Sequence, residues 1–172
     1  MAAYAVVETA LARMHGADAE VQRGAFRGRL KHLQRLGLPL GDKPGKGRRI
    51  DYSEAQIVQL ALALELSEAG LDPTKIASFI TSYWFMFFEK RLTGMSFDDN
   101  DYFGDILAIG TTAMSSGWAT PEDHMSDLSS TTWTHRVSSI DSLTSQAHRR
   151  FILIDVGRML SKLRDEIDIL EG

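Results

Sequence analysis

Basic side chains that could bind a polyanion are concentrated in one window of this chain. Residues 20–50 contain nine lysines and arginines against two acidic residues, which gives the window a charge of +7. The net charge of the whole chain is −4, so the remaining residues sum to −11. Such asymmetry points to a polyanionic partner, because lysine and arginine neutralise phosphates and release condensed counterions; the alternative is a solvated basic surface. The nine candidate phosphate-binding residues are Arg23, Arg27, Arg29, Lys31, Arg35, Lys43, Lys46, Arg48 and Arg49.

No other group of residues carries the pattern of a reactive site. The absence of cysteine excludes disulfides, cysteine-ligated zinc, iron–sulfur clusters and thiol catalysis. The acidic segment 98–105, DDNDYFGD, lacks the ligand spacing of an EF-hand loop, and His124, His135 and His148 lack the i, i+4 pairing of a helical zinc site. The serines between 115 and 145 lie in no G-x-S-x-G elbow. We therefore expect no enzyme, no catalytic residues, no metal and no cofactor.

Two predicted helices position the first five of these cations. Apolar residues at helical spacing predict a first helix over residues 3–14. A second helix is expected over about residues 18–36, ending at Gly37. Its apolar stripe lies beside a row of cations at i, i+4 spacing from Arg23 to Arg35, so it can pack on a core and still present charge. Gly24 and Gly28 lower its helix propensity but permit the close approach of a backbone.

The following segments predict a basic loop and two more helices. Residues 38–50 are rich in glycine and proline, which indicates a loop or small hairpin that carries the last four cations. Ser53 and Gln56 have the spacing of a capping box at the start of a helix that is apolar on nearly all sides. Gly70 ends that helix, and Asp72 with Pro73 begins the next one.

After Gly94 the sequence predicts a small α/β region. FGDILAIG and RRFILIDV read as strands, and HRVSSI as a short strand. Residues 111–133 are rich in serine and threonine and are expected to be irregular. GRMLSKLRDEIDIL predicts a closing amphipathic helix.

The order of the N-terminal elements is that of a winged helix-turn-helix. In such a module the second helix enters the major groove, and a basic loop reaches the flanking backbone or the minor groove. The expected fold is therefore mainly α, with a winged helix-turn-helix DNA-binding domain in residues 1–93 and a small α/β region in residues 94–172.

Part of the chain resembles the MerR family of regulators. RLKHLQRLGLP, residues 29–39, is similar to the end of that family's recognition helix, Thr-Ile-Arg-Tyr-Tyr-Glu-Arg-x-Gly-Leu, although His32 and Leu33 replace its aromatic pair. GRRIDYSEAQIVQLALALELSEAGLDPTKIASFI is similar to the family's wing and the helix pair that follows. The resemblance spans about residues 16–81 and implies a winged DNA-binding domain. Nothing after residue 94 resembles the family's dimerising coiled coil or a cysteine metal sensor.

The sequence thus predicts a DNA-binding transcriptional regulator whose partner is double-stranded DNA. We expect a homodimer, because pairing two recognition helices doubles the footprint on a palindromic site. The aromatic cluster 83–88 and the closing helix are the candidate interfaces; alternatively, both fill the core of their own chain. A contact of the C-terminal region with another protein or an effector is a further possibility.

Two other functions remain open at this point. One is an architectural, excisionase-like factor that bends DNA, and the other is a protein-interaction adaptor whose basic face meets an acidic partner. The N-terminus lacks the basic-then-apolar order of a signal peptide, and no apolar run approaches the roughly 20 residues of a membrane span. The expected location is the cytoplasm, without membrane association, in a protein of bacterial style.

Overall fold

The computed structural model describes residues 1–41, 50–89, 105–110, 131–135 and 151–172. These residues are mainly helical, with two small sheets. The helices are α1 (Tyr4–Met14), α2 (Glu20–Arg35), α3 (Glu54–Glu68), α4 (Pro73–Tyr83) and α5 (Val156–Glu171), and α4 continues into a π-helical segment (Trp84–Phe88). The strands are β1 (Ala2–Ala3), β2 (Asp51–Tyr52), β3 (Asp105–Gly110), β4 (Thr131–His135) and β5 (Phe151–Asp155). Among the helices so described, none is long and apolar enough to cross a membrane.

The chain divides into two compact units. The first comprises Met1–Phe97 together with Leu160–Gly172, and the second comprises Asp98–Met159. The sequence predicts a boundary at residue 93, four residues before the end of the first segment. The larger difference concerns α5, most of which belongs to the first unit; Leu160 and Leu163 in this part of α5 are buried.

Helix α3 forms the centre of the first unit. Its residues from Ile57 to Leu64 are all buried, as its apolar composition predicts. Helix α2 contributes only Phe26, Leu30 and Leu33 to the core. Burial of each large apolar side chain stabilises a fold by about 1.5–3 kcal/mol, so three suffice to hold one side of α2 while its opposite side stays in solvent.

The helix boundaries predicted at Gly37, Ser53, Gly70 and Asp72 are confirmed, whereas α2 begins at Glu20, two residues after its predicted start. Ser53 Oγ accepts from the backbone N–H of Gln56 at 3.3 Å, and Gln56 Oε1 accepts from the backbone N–H of Ser53 at 3.0 Å. Asp72 Oδ1 accepts from the N–H groups of Thr74 and Lys75, at 2.9 and 3.2 Å. Gly37 and Gly70 end α2 and α3 with φ of 104° and 86°, backbone values that favour glycine.

A two-stranded sheet joins the start of the chain to the segment before α3. Strands β1 and β2 are antiparallel, with Ala2 opposite Tyr52 and Ala3 opposite Asp51. The backbone N–H of Tyr4 also donates to the carbonyl of Ile50 at 3.0 Å. The predicted first helix therefore begins one residue later than expected, since Ala3 belongs to a strand.

The second unit contains a three-stranded antiparallel sheet in the order β4-β3-β5. Leu107 of β3 lies opposite Trp133 on one side and Ile154 on the other. The predicted strands at β3 and β5 are confirmed. The prediction of an irregular 111–133 is wrong for residues 131–133, which open β4, because threonine and tryptophan favour strands. Of the predicted strand HRVSSI only His135 is in β4, and residues 136–140 lie outside the described residues.

The predicted aromatic cluster is divided between core and surface. Trp84 and Phe88 are buried, whereas Phe85 between them is exposed. The rings of Phe79 and Phe88 lie 5.7 Å apart, in a tilted arrangement that favours aromatic pairs. The cluster therefore fills its own core in part, and the interface predicted for it reduces to Phe85 among the side chains that the structure describes.

Candidate nucleic-acid interface

The cations of α2 change in exposure along the helix. Four residues turn a helix by about 400°, so each step along an i, i+4 row moves the side chain about 40° around the axis. Arg23 is half-buried, and its Nε has no hydrogen-bond partner among the described residues. Arg27 is about half-exposed, and Lys31 and Arg35 are exposed. The row begins beside the core and ends on the solvent side.

Arg27 is held by a carboxylate from the neighbouring helix. Its Nε donates a hydrogen bond to Oε1 of Glu8 at 2.5 Å. Glu8 is the one charged residue among the buried residues of α1, which are otherwise apolar. This hydrogen bond and the charge of Glu8 raise the pKa of Arg27. Burial, together with the charge of Glu8 and a hydrogen bond to it, raises the pKa of Tyr4 to about 12. The hydrogen bond from Arg27 thus gives the buried carboxylate a cationic partner.

Arg29 makes an ion pair on the opposite flank of α2. Its Nη1 contacts Oε1 of Glu68 at the end of α3, and the two side chains remain 57% and 52% exposed. Ion pairs between exposed side chains contribute only about 0–1 kcal/mol to stability. Arg29 can therefore exchange Glu68 for a phosphate at little cost.

The solvent-exposed side of α2 has two glycines, which lack side chains, at its centre. We call it the outward face; it consists of Val21, Gly24, Gly28, Lys31 and Arg35, all exposed. Among the described residues, a Cβ atom added to Gly24 or Gly28 would meet nothing within 4 Å, and neither glycine has a positive φ. The fold itself therefore gives no reason for glycine here, although each glycine lowers helix stability by about 1 kcal/mol relative to alanine.

The basic loop, residues 42–49, lies outside the described residues, and with it Lys43, Lys46, Arg48 and Arg49. Its two ends are described. Before the loop, the backbone N–H of Leu40 donates to Gln59 Oε1 at 2.6 Å, and its carbonyl accepts from Gln56 Nε2 at 3.2 Å. After the loop, the Tyr52 hydroxyl accepts from Gln34 Nε2 of α2 at 2.8 Å. Leu40, before the loop, is thus anchored to α3, and the strand after the loop is anchored to the last turn of α2.

The turn between α1 and α2 is supported by α5. Lys162 Nζ donates to the carbonyl of Met14, the last residue of α1, at 2.7 Å, and Arg13 pairs with Glu166 at 3.5 Å. A lysine at this position satisfies a carbonyl that the helix leaves without a partner and complements its dipole. These contacts fix the end of α1 from which α2 departs.

His15, in the same turn, is partly buried against Phe26, with the ring centroids 6.5 Å apart. Burial lowers the pKa of His15, and the positive charges of Lys162 and Arg29 act in the same direction, whereas Glu68 opposes them. Burial therefore disfavours the protonated form of His15 in the folded protein.

The described residues contain no cluster of three or more side chains that could hold a metal ion. Of the scattered histidines, His135 lies in β4, and His124 and His148 fall outside the described residues. The acidic segment before β3 also falls outside them, except for Asp105.

Several residues that organise this surface are not predicted from the sequence. Glu8, Tyr52 and Glu68 bind α2 from three other elements, and each is separated from its α2 partner by 18 residues or more. The one available signal is Glu8, an acidic residue within the apolar run of α1.

Comparison of the chain with protein-family models, with curated proteins and with solved structures finds no match in any of the three. The likeness to MerR regulators therefore stays a resemblance in residues and element order, and function must be argued from geometry.

Proposed function

We propose that this protein is a sequence-specific DNA-binding transcriptional regulator with an N-terminal winged helix-turn-helix. Helix α2 is the recognition helix and enters the major groove through its outward face. The basic loop is the wing, which lies on the flanking backbone or in the minor groove.

The observation that carries this proposal is the composition of the outward face. Two exposed cations, Lys31 and Arg35, follow two glycines that the fold does not require. A helix seated in a groove needs cations for the phosphates and little bulk where its backbone comes close to the bases. An exposed helix that served only solubility would gain about 1 kcal/mol from alanine at each glycine position.

The flanks of α2 support the same orientation. Arg27 and Arg29 lie to either side of the outward face and remain more than half-exposed in their ion pairs. Each protomer thus offers four cations on α2 for phosphates. The basic loop adds four more, and Tyr52, which follows the loop in sequence, is hydrogen-bonded to α2.

Sequence specificity is expected from the outward face rather than from these cations, because phosphate contacts position a protein and base contacts specify the sequence. Val21, near the N-terminal end of α2, is 93% exposed and could contact a thymine methyl group in the major groove.

A homodimer forms part of the proposal, because a single short helix covers few base pairs. Two exposed apolar residues, Phe85 after α4 and Ile169 on α5, belong to the segments from which the sequence predicts the interface. Sedimentation of the purified protein with and without its DNA site tests this part.

The proposal is tested by capturing genomic fragments on the purified protein, sequencing them and titrating the best fragment at two salt concentrations. A shared, roughly palindromic site with strong salt dependence supports the regulator. Strong bending of the fragment without an effect on transcription would favour the architectural factor. Weak, equal binding to all fragments would contradict both and favour the protein adaptor.

A further inference from the structure

We propose, on the basis of the function proposed above, that Glu8 is a positioning residue for DNA binding. Its buried carboxylate fixes the guanidinium of Arg27 on the flank of α2, so that the terminal nitrogens of Arg27 are presented to a DNA phosphate.

The geometry leaves these nitrogens available. The bond to Glu8 uses Nε of Arg27, at 2.5 Å, and the side chain remains 53% exposed. Within the described part of the chain, the guanidinium makes no other hydrogen bond. An arginine has five N–H donors in a rigid fork, so a guanidinium anchored through Nε can still bind a phosphate through its terminal nitrogens.

Packing alone does not explain an acidic residue at position 8. The neighbouring α1 residues Val7, Ala10 and Leu11 are fully buried and apolar. A buried carboxylate is unfavourable unless it is paired, and an apolar side chain of similar volume would avoid that penalty altogether. What Glu8 provides in addition is an ordered Arg27. The ordering takes place during folding, so DNA binding does not have to immobilise a flexible side chain.

The chain contains a natural comparison on the other flank of α2. The ion pair of Arg29 with Glu68 also joins α2 to another helix, but both of its side chains are more than half-exposed. Glu68 has no buried surroundings that fix it, so it orders its arginine much less than Glu8 does. Loss of the Glu68 carboxylate should therefore leave DNA affinity unchanged or slightly higher.

For Glu8, an argument from charge alone and the positioning role predict opposite changes in DNA affinity. A negative charge near a DNA-binding surface repels phosphate, so its removal alone should tighten binding. If Glu8 acts by holding Arg27, removal of its oxygen atoms should weaken binding. The sign of the change separates the two explanations.

Four variants test the inference. Glu8→Met removes the acceptor at similar volume, and Glu8→Gln keeps one acceptor oxygen. Arg27→Lys keeps the charge without the forked guanidinium, and Glu68→Gln is the control.

We expect Glu8→Met and Arg27→Lys each to weaken binding of the enriched DNA fragment by about two- to tenfold, the loss that corresponds to immobilising one side chain. Glu8→Gln and Glu68→Gln should bind within about twofold of the parent protein, or more tightly. In the double variant Glu8→Met/Arg27→Lys, the two losses should not add, because both remove the same contact.

A second measurement does not depend on DNA. NMR of the parent protein should show an Arg27 Nε–H resonance protected from solvent exchange, which persists in Glu8→Gln and disappears in Glu8→Met. Thermal unfolding identifies any variant that does not fold. If Glu8→Met does not fold, the positioning role is tested by the Nε–H resonance of the parent protein and by the DNA affinity of Arg27→Lys.

The outcomes separate this inference from the function on which it rests. If the parent protein binds DNA but Glu8→Met and Arg27→Lys bind equally well or more tightly, the positioning role is overturned and the regulator stands. An unprotected Nε–H in the parent protein also overturns it. If the parent protein binds no DNA, both proposals fail.

Discussion

Replacing Gly24 and Gly28 should make the protein more stable and a weaker binder of DNA. A Cβ atom at either position would meet no atom within 4 Å in the described part of the chain, and both backbones are helical, so alanine fits without strain. Each replacement should stabilise α2 by about 0.8–1 kcal/mol, or about 2 kcal/mol for the pair. For a chain of this length, that corresponds to an increase in Tm of about 4–8 °C.

The loss of affinity is expected because, in the proposed function, α2 comes close to the DNA groove. Added methyl groups must be accommodated between the helix and the DNA, and overpacking of a close-fitting interior costs about 1–3 kcal/mol. Gly24→Leu/Gly28→Leu should weaken binding further and keep most of the gain in stability, because leucine is also a good helix former.

Circular dichroism melts and fluorescence-anisotropy titrations of the same samples measure both effects. Ser78→Ala serves as the control, because Ser78 is exposed in α4 and the change should raise stability slightly and leave DNA affinity alone. A gain in stability with unchanged affinity in both the alanine and the leucine variants would refute the idea that the outward face approaches DNA closely.

Three further predictions concern the basic loop and the turn between α1 and α2. Arg48→Ala/Arg49→Ala should weaken DNA binding and reduce its salt dependence without changing the melting curve. Unchanged affinity by titration would contradict the proposal that the basic loop is a DNA-binding wing. Lys162→Met should lower the free energy of unfolding by about 0.5–1.5 kcal/mol, because the carbonyl of Met14 loses its donor, and urea denaturation measures this loss. Because the pKa of His15 is lowered in the folded protein, the unfolded chain takes up a proton at higher pH than the folded one as the solution is acidified. The free energy of unfolding should therefore be highest above pH 6.5 and decrease as pH falls below it. His15→Gln should flatten that decrease between pH 7.5 and 5.5, and an identical pH dependence in the variant would show that His15 does not contribute.

The helix ends could be predicted because their causes are local. Ser53 caps a residue three positions away, and Gly70 needs only its own backbone freedom. The buried course of α3 follows in the same way from its apolar run, which only Gln59 interrupts between Ile57 and Leu64.

Pairings between distant segments were not predictable in the same way. Strands β1 and β2 have two residues each, which is too short for a periodic signal, and 47 residues separate Ala3 from Asp51. The contact of Arg27 with Glu8 depends on how α1 and α2 cross, which the period of either helix does not determine. The sequence could thus show which side of α2 is basic but not which of its cations are held by carboxylates.

The most direct test of the proposed function is the salt dependence of DNA binding by the parent protein and by Lys31→Gln/Arg35→Gln. These two exposed cations are the only ones on the outward face and have no partner among the described residues. If both contact phosphates, the slope of log K against log salt should become shallower by about 1.8 for each protomer bound, at about 0.9 per phosphate. An unchanged slope and affinity in the variant would contradict the claim that α2 binds DNA through its outward face.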